Sequence, residues 1–285
     1  MATKKAVAAT ATIAAVGLAT WLGASVMAGR AAADEIGTLA RSPGGHGLQV
    51  LALKHEPGLL SSVGTMALRV EDSCGDSRSD EALTLQLQYQ LSHLILPGSL
   101  LRLSWSLQPT GAAGAAFTKA FGSQAALQGE GDVSFGRELR SSLSLPALSV
   151  SEGGRQVRIE PSQGRLRWGA ESFGLDWKTG ALVARGGGEA LELRSIGLEM
   201  DIRNRRLGTG TVAFEIGQIA TGSGSAEGLR LAAEAVERGD RIDVSVKPSL
   251  KRLQAGGQEA RDLTLELALR NLHTASLETV NRIVT

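Results

Sequence analysis

The chain reads as a mostly β protein: an extended, curved antiparallel sheet with a few short helices, preceded by one N-terminal transmembrane helix. Three observations predict this. Apolar residues recur at every second position in several long stretches, the pattern of strands that bury one face. The 36 glycines supply the positive-φ positions that many tight turns need. Residues 6–29, AVAATATIAAVGLATWLGASVMAG, carry no charge and exceed the about 20 residues needed to cross a bilayer core.

Lys4 and Lys5 precede that stretch and mixed charges follow it. The asymmetry predicts a cytoplasmic tail (1–5), a signal anchor (6–29) and export of everything after it. The competing reading is a cleavable signal, cut after Val26-Met27-Ala28 or Ala31-Ala32-Ala33, although signal cores usually hold only ~7–15 apolar residues. Both readings export the body. Residues 30–46, RAAADEIGTLARSPGGH, predict a short helical linker ended by Pro43-Gly44-Gly45. The exported β-rich domain is then 47–285.

Within that domain, Pro57-Gly58 marks a turn, and Met66, Leu68 and Val70 alternate on one face of the strand that follows. In 82–96, ALTLQLQYQLSHLIL, the residues Leu83, Leu85, Leu87, Tyr89, Leu91, His93 and Ile95 lie on one face and Thr84, Gln86, Gln88, Gln90 and Ser92 on the other. At ~3.3 Å per residue such a strand runs on the order of 40 Å, so the sheet is expected to be tall and one-sided. The same period recurs in Ile196–Ile202, Val212–Ile216, Ile242–Val246 and Leu263–Leu269. Antiparallel meanders alternate in this way, whereas parallel strands buried on both faces read as continuous apolar runs. Turns are expected at Thr179-Gly180, Gly186-Gly187-Gly188, Gly222-Ser223-Gly224 and Gly239-Asp240. Two short helices are predicted, at 112–121 and in the C-terminal HTASLETVNRIV.

Function classes narrow by composition. Thirty Lys and Arg against 29 Asp and Glu leave a net charge of +1, which gives no field to gather nucleic acid. The single Cys74 forms no intramolecular disulfide; it is either an idle thiol or a cross-link between two copies. His55, Ser61, Ser62 and the acids Glu56, Glu71 and Asp72 can be drawn as a hydrolase, but no Gly-x-Ser-x-Gly elbow is present. The serines therefore read as shaping a strand entry. His46, His55, His93 and His273 show no zinc-type spacing, and His93 reads as a buried neutral histidine. GTGTVA (208–213) has the glycines of a dinucleotide loop, but strand-like residues follow where a helix is required, so it reads as a turn. Arg203-Asn204-Arg205-Arg206 reads as a solvated hairpin tip, with contact to anionic lipid as the sharper alternative. No catalytic, cofactor-binding or metal residue is assigned, and no cofactor is expected.

The chain resembles the YdgA-like family of bacterial envelope proteins of uncharacterised role. The resemblance rests on Gly29-Arg30 closing the span, on Gly58-Leu59-Leu60-Ser61-Ser62 opening a strand, and on the alternating strand Leu83–Ile95 that carries His93. It extends to LTLELALRNLHTASLETVN near the C-terminus. Relatives in that family follow the histidine directly with Gly-Pro, whereas here Leu94-Ile95-Leu96 intervene before Pro97-Gly98. The resemblance implies a single-pass protein of the bacterial inner membrane with its β-rich body in the periplasm and no catalytic residues to carry over. The expected function is a non-enzymatic envelope scaffold that self-associates, as a homodimer, or binds an envelope protein partner. The alternative is a carrier of lipid or another apolar ligand on an exposed sheet face.

Overall fold

The computed structural model describes residues 48–70, 83–93, 98–111, 114–115, 117–118 and 127–274. The tail, the span and the linker predicted within 1–47 lie outside the described residues, and so does the C-terminal helix beyond Thr274. No described helix is long and apolar enough to cross a membrane. The predicted helix at 112–121 is represented by Gly111, Gly114, Ala115, Phe117 and Thr118, all helical.

Apart from Thr274, the other regular structure among the described residues is strand. The elements are β1 (Leu48–Pro57), β2 (Ser61–Val70), β3 (Leu83–Ser92), β4 (Leu101–Thr110), β5 (Leu127–Val133), β6 (Leu139–Leu145), β7 (Leu148–Glu152) and β8 (Arg155–Ile159). They continue as β9 (Ser162–Trp168), β10 (Phe173–Gly186), β11 (Glu189–Asn204), β12 (Thr209–Thr221), β13 (Gly224–Arg238), β14 (Arg241–Ala255), β15 (Gln258–Thr264) and β16 (Leu267–His273). They form one 16-stranded open antiparallel sheet in which sequence neighbours pair. Three long ribbons are interrupted rather than separate. β6 and β7 pair in turn with β9 and β8, β8 and β9 share one edge of β10, and β15 and β16 share one edge of β14.

The expected turns at 186–188, 222–224 and 239–240 join β10 to β11, β12 to β13 and β13 to β14. Pro57 ends β1, and β2 starts at Ser61. Two expectations are corrected. The strand predicted over 82–96 is β3, ten residues long and ending at Ser92. The Thr179-Gly180 turn does not exist, because both residues lie inside β10.

Gly180 instead belongs to a line of irregularity that crosses the sheet. By register it continues through Ser195, Gly217, Gly228, Lys251 and Asp262, and it starts where Glu160 and Pro161 separate β8 from β9. Ser195, Gly228 and Asp262, on alternate strands, have φ of 53°, 65° and 51°. The parity of the apolar residues switches across this line: Leu175 and Trp177 give way to Leu182 and Ala184 on β10, Leu198 and Ile196 to Leu193 and Leu191 on β11, and Phe214 and Ile216 to Ile219 on β12. Positive-φ residues in a ladder re-aim the side chains that follow them, so the alternation restarts at the line.

Every pair of elements in extensive contact is a pair of hydrogen-bonded neighbours in the sheet. Among the described residues no second layer packs on either face, so the described body is a single sheet with one apolar face and one polar face. The expectation of a tall, one-sided sheet holds, since β10 to β14 run 13 to 16 residues each.

Candidate functional site

Of the residues singled out around Ser62, Glu71 and Asp72 lie outside the described residues and Glu56 pairs with Lys54 on the polar face; Ser62 instead meets His93, at the end of the apolar face where β1, β2 and β3 come together. Ser62 is opposite Leu91 in the β2–β3 register, which turns its hydroxyl to the same face as His93, two residues further on. Ser62 Oγ and His93 Nε2 are 2.9 Å apart and hydrogen-bonded, and both residues are 2 % exposed. The His93 backbone N–H donates to the Leu60 carbonyl at 2.8 Å, which pins the end of β3 to the turn before β2. On β1, His55 Nδ1 is hydrogen-bonded to the Tyr89 hydroxyl at 2.9 Å, and the two rings stack with centroids 6.0 Å apart. Ser61 is exposed and faces the other way.

Two ring nitrogens, His93 Nδ1 and His55 Nε2, are buried without a hydrogen-bond partner. An unpaired lone pair costs less than an unpaired buried N–H. The favoured His93 tautomer therefore carries its proton on Nε2 and donates it to Ser62 Oγ. That is the reverse of what activating a serine requires, since a general base must accept the hydroxyl proton. Burial first, and then the nearby His55, hold the His93 imidazole below its usual value near 6.5, which keeps it neutral. Burial raises the Tyr89 phenol. Among the described residues no carboxylate orients His93, and no group of three or more His, Cys, Asp or Glu is arranged to hold a metal. The arrangement ties two strand ends together.

Gly64 sits between His55 and Tyr89 in register, and a Cβ there would overlap the Tyr89 ring. The device repeats along the same cross-strand row: Trp105 lies across Gly129 and Trp177 across Gly164. Each ring covers the gap left by its neighbour and finds a polar partner. Trp105 Nε1 donates to Ser141 Oγ at 3.3 Å and Trp177 Nε1 to Thr179 Oγ1 at 3.1 Å. Ser141 is thereby satisfied on an otherwise apolar face, as Ser62 is by His93 and Ser162 by Thr179 Oγ1 at 2.8 Å.

The other singled-out residues lie apart from this cluster. His273 Nε2 is 3.4 Å from an Asp240 carboxylate oxygen at the surface. The 208–213 segment is a turn at Gly208 (φ 68°) leading into β12, as expected. The basic run does form the β11–β12 hairpin tip, but Arg205 is not merely solvated. Its guanidinium lies 3.8 Å from the Trp168 ring centroid and donates to the Gly169 carbonyl at 3.1 Å. His46 and Cys74 lie outside the described residues.

The apolar face is most open at the last edge of the sheet. Leu263, Leu265, Leu267 and Leu269 are 46–63 % exposed, and by register with β14 they all lie on that face. Sequence reasoning named this alternation without locating it at an edge, because an edge strand has the same period as an interior one. No curated protein and no solved structure matches the chain. One family model does match, over residues 3–285, and its description is a bacterial protein of unknown function (DUF945). The chain therefore belongs to the DUF945 family of bacterial proteins.

Proposed function

We propose that this chain is a membrane-tethered envelope protein of the YdgA-like kind, anchored by residues 6–29 with its β body in the periplasm, and that it works as a self-associating scaffold. The observation that carries the reading is the open β15–β16 edge. It combines backbone groups that no described strand pairs with four leucines that no described element covers. A long apolar edge of this kind is a template for another strand. The opposite edge is guarded, since β1 carries Lys54, Glu56 and Pro57.

The occupant that fits is a second copy. Antiparallel self-pairing centred on Ala268 sets Leu267 against Leu269 of the partner subunit on the apolar face. On the polar face it sets Glu266 against Arg270 of the partner subunit, twice by symmetry. Such an isologous contact closes as a dimer and joins two apolar faces into one.

Ala268→Cys in a Cys74→Ser background, purified in mild detergent and oxidised, tests this. Cross-strand Cβ atoms about 4.5–5.5 Å apart accept a disulfide, so a cross-linked dimer is expected, and Leu267→Lys with Leu269→Lys leaves a monomer. A lipid-free monomer without cross-link overturns the scaffold. Co-purifying lipid on a monomer moves the reading to the apolar-ligand carrier.

A further inference from the structure

The polar face is divided. Over β9 to β15 it is a lattice of ion pairs, including Arg167–Asp201, Arg230–Glu215 and Lys247–Glu266. Over β2 to β6 charged residues flank the face, with Arg69 at one side and an Arg102–Asp132–Arg140 row at the other, and two rows between them have a different order. One cross-strand row reads Thr65, Gln88, Ser106, Gln128, Ser144 and then Gln163 on β9. The next reads Val63, Gln90, Ser104, Glu130, Ser142 and Arg165.

Long and short side chains alternate strand by strand in both rows. The surface is therefore corrugated, with ridges of Gln88 and Gln90 on β3 and of Gln128 and Glu130 on β5, and hydroxyl floors on β4 and β6. Ridges two strands apart stand ~9.5 Å from each other. A concavity of about 590 Å³ lies on this face and is lined by these side chains, within the size range of ligand sites. Lys54 and Glu56, ion-paired at 2.7 Å, line its β1 side, and Ser142 Oγ donates to the Glu130 carbonyl at 3.0 Å. Gln88, Gln90, Gln128, Ser104 and Ser106 make no side-chain hydrogen bond within the described chain. An ordered array of neutral donors and acceptors is thus left for an outside partner.

We infer that this corrugated face binds a neutral, polyhydroxylated chain, a linear glycan, lying along the serine floors between the glutamine ridges. A primary amide offers two donors and one acceptor and a serine hydroxyl offers both roles, which matches the mixed donor–acceptor character of sugar hydroxyls. Charge selects against the rivals. The basic group lining the concavity, Lys54, is paired with Glu56, and Glu130 adds a negative charge, so a polyanion gains little there, and no exposed aromatic platform serves to stack bases. An extended peptide has no free backbone edge to pair with in the middle of a sheet.

The test uses the full chain in mild detergent and a panel of malto-, cello- and chito-hexaose together with amidase-released peptidoglycan glycan strands, read by microscale thermophoresis. At least one member is expected to bind. Gln88→Ala with Gln128→Ala is expected to weaken it at least fivefold, while Lys178→Ala on the ion-paired half leaves it unchanged. All three are exposed strand positions, and matched melting curves verify the fold. The inference is overturned by no binding across the panel at millimolar concentration, by binding that the ridge substitutions leave intact, or by preference for a polyglutamate peptide over every glycan. It stands or falls independently of the β15–β16 dimer.

Discussion

Ser62 and His93 show how close a sequence can come to a pairing without stating it. Both were singled out and both lie on the apolar face, but only the β2–β3 register brings them within a hydrogen bond. Ser62→Ala leaves the second His93 nitrogen unpaired in a buried setting, and a loss of about 1–3 kcal/mol is expected, read by chemical denaturation. The lowered His93 value carries a sign. As pH falls the unfolded chain takes up the proton first, so the stability owed to neutral His93 is complete above about 6.5 and declines from there down to the lowered folded value. Melting curves across that window should slope downward with acid, and His93→Gln should flatten the slope; an unchanged slope refutes the assignment. At the aromatic row, Gly129→Ala drives a methyl into the Trp105 indole. A cost of about 1–3 kcal/mol is expected from overpacking, with a shift in tryptophan emission as the local signature.

At the scale of elements, β3 and the long strands β11, β12 and β14 were legible because leucine, isoleucine and valine mark their apolar face at every second position, whereas β10 and β13 were not read. The stretch from β4 to β9 was not legible either, and the reason is specific. There the apolar-face positions include Gly129, Gly131, Ser141, Ser162 and Gly164, and the rings of Trp105 and Trp177 cover Gly129 and Gly164 from neighbouring strands. Cross-strand covering of this sort stabilises a sheet while erasing its hydrophobic period. Thr179-Gly180 misled for a related reason, since glycine there serves a crossing line of irregular backbone rather than a chain reversal. That line predicts opposite responses to substitution. Gly228→Ala meets both a φ of 65° and the Lys251 side chain, so a loss of about 1 kcal/mol or more is expected. Ser195→Gly relieves part of the roughly 1–2 kcal/mol that a left-handed residue costs and should raise the melting temperature.

For the molecule as a whole, the single layer is the governing fact. A sheet packs an apolar face against something, and here no described element supplies the cover, so the burial that stabilises the chain rises if a partner joins it. Melting temperature is accordingly expected to increase with protein concentration, and Leu267→Lys with Leu269→Lys should abolish that dependence; a concentration-independent melt of the unaltered protein contradicts the dimer. The sequence by itself determined the class of the fold, its antiparallel order, most of its turns and the identity of the face that seeks apolar contact, because side-chain alternation and glycine placement are local properties. Only the tertiary structure decided which strand is the open edge, that Ser62 meets His93, and that glutamines and serines from five strands align into ridges and floors. Those are matters of register between segments far apart in the chain, and register is set by the pairing of whole strands rather than by any residue within one.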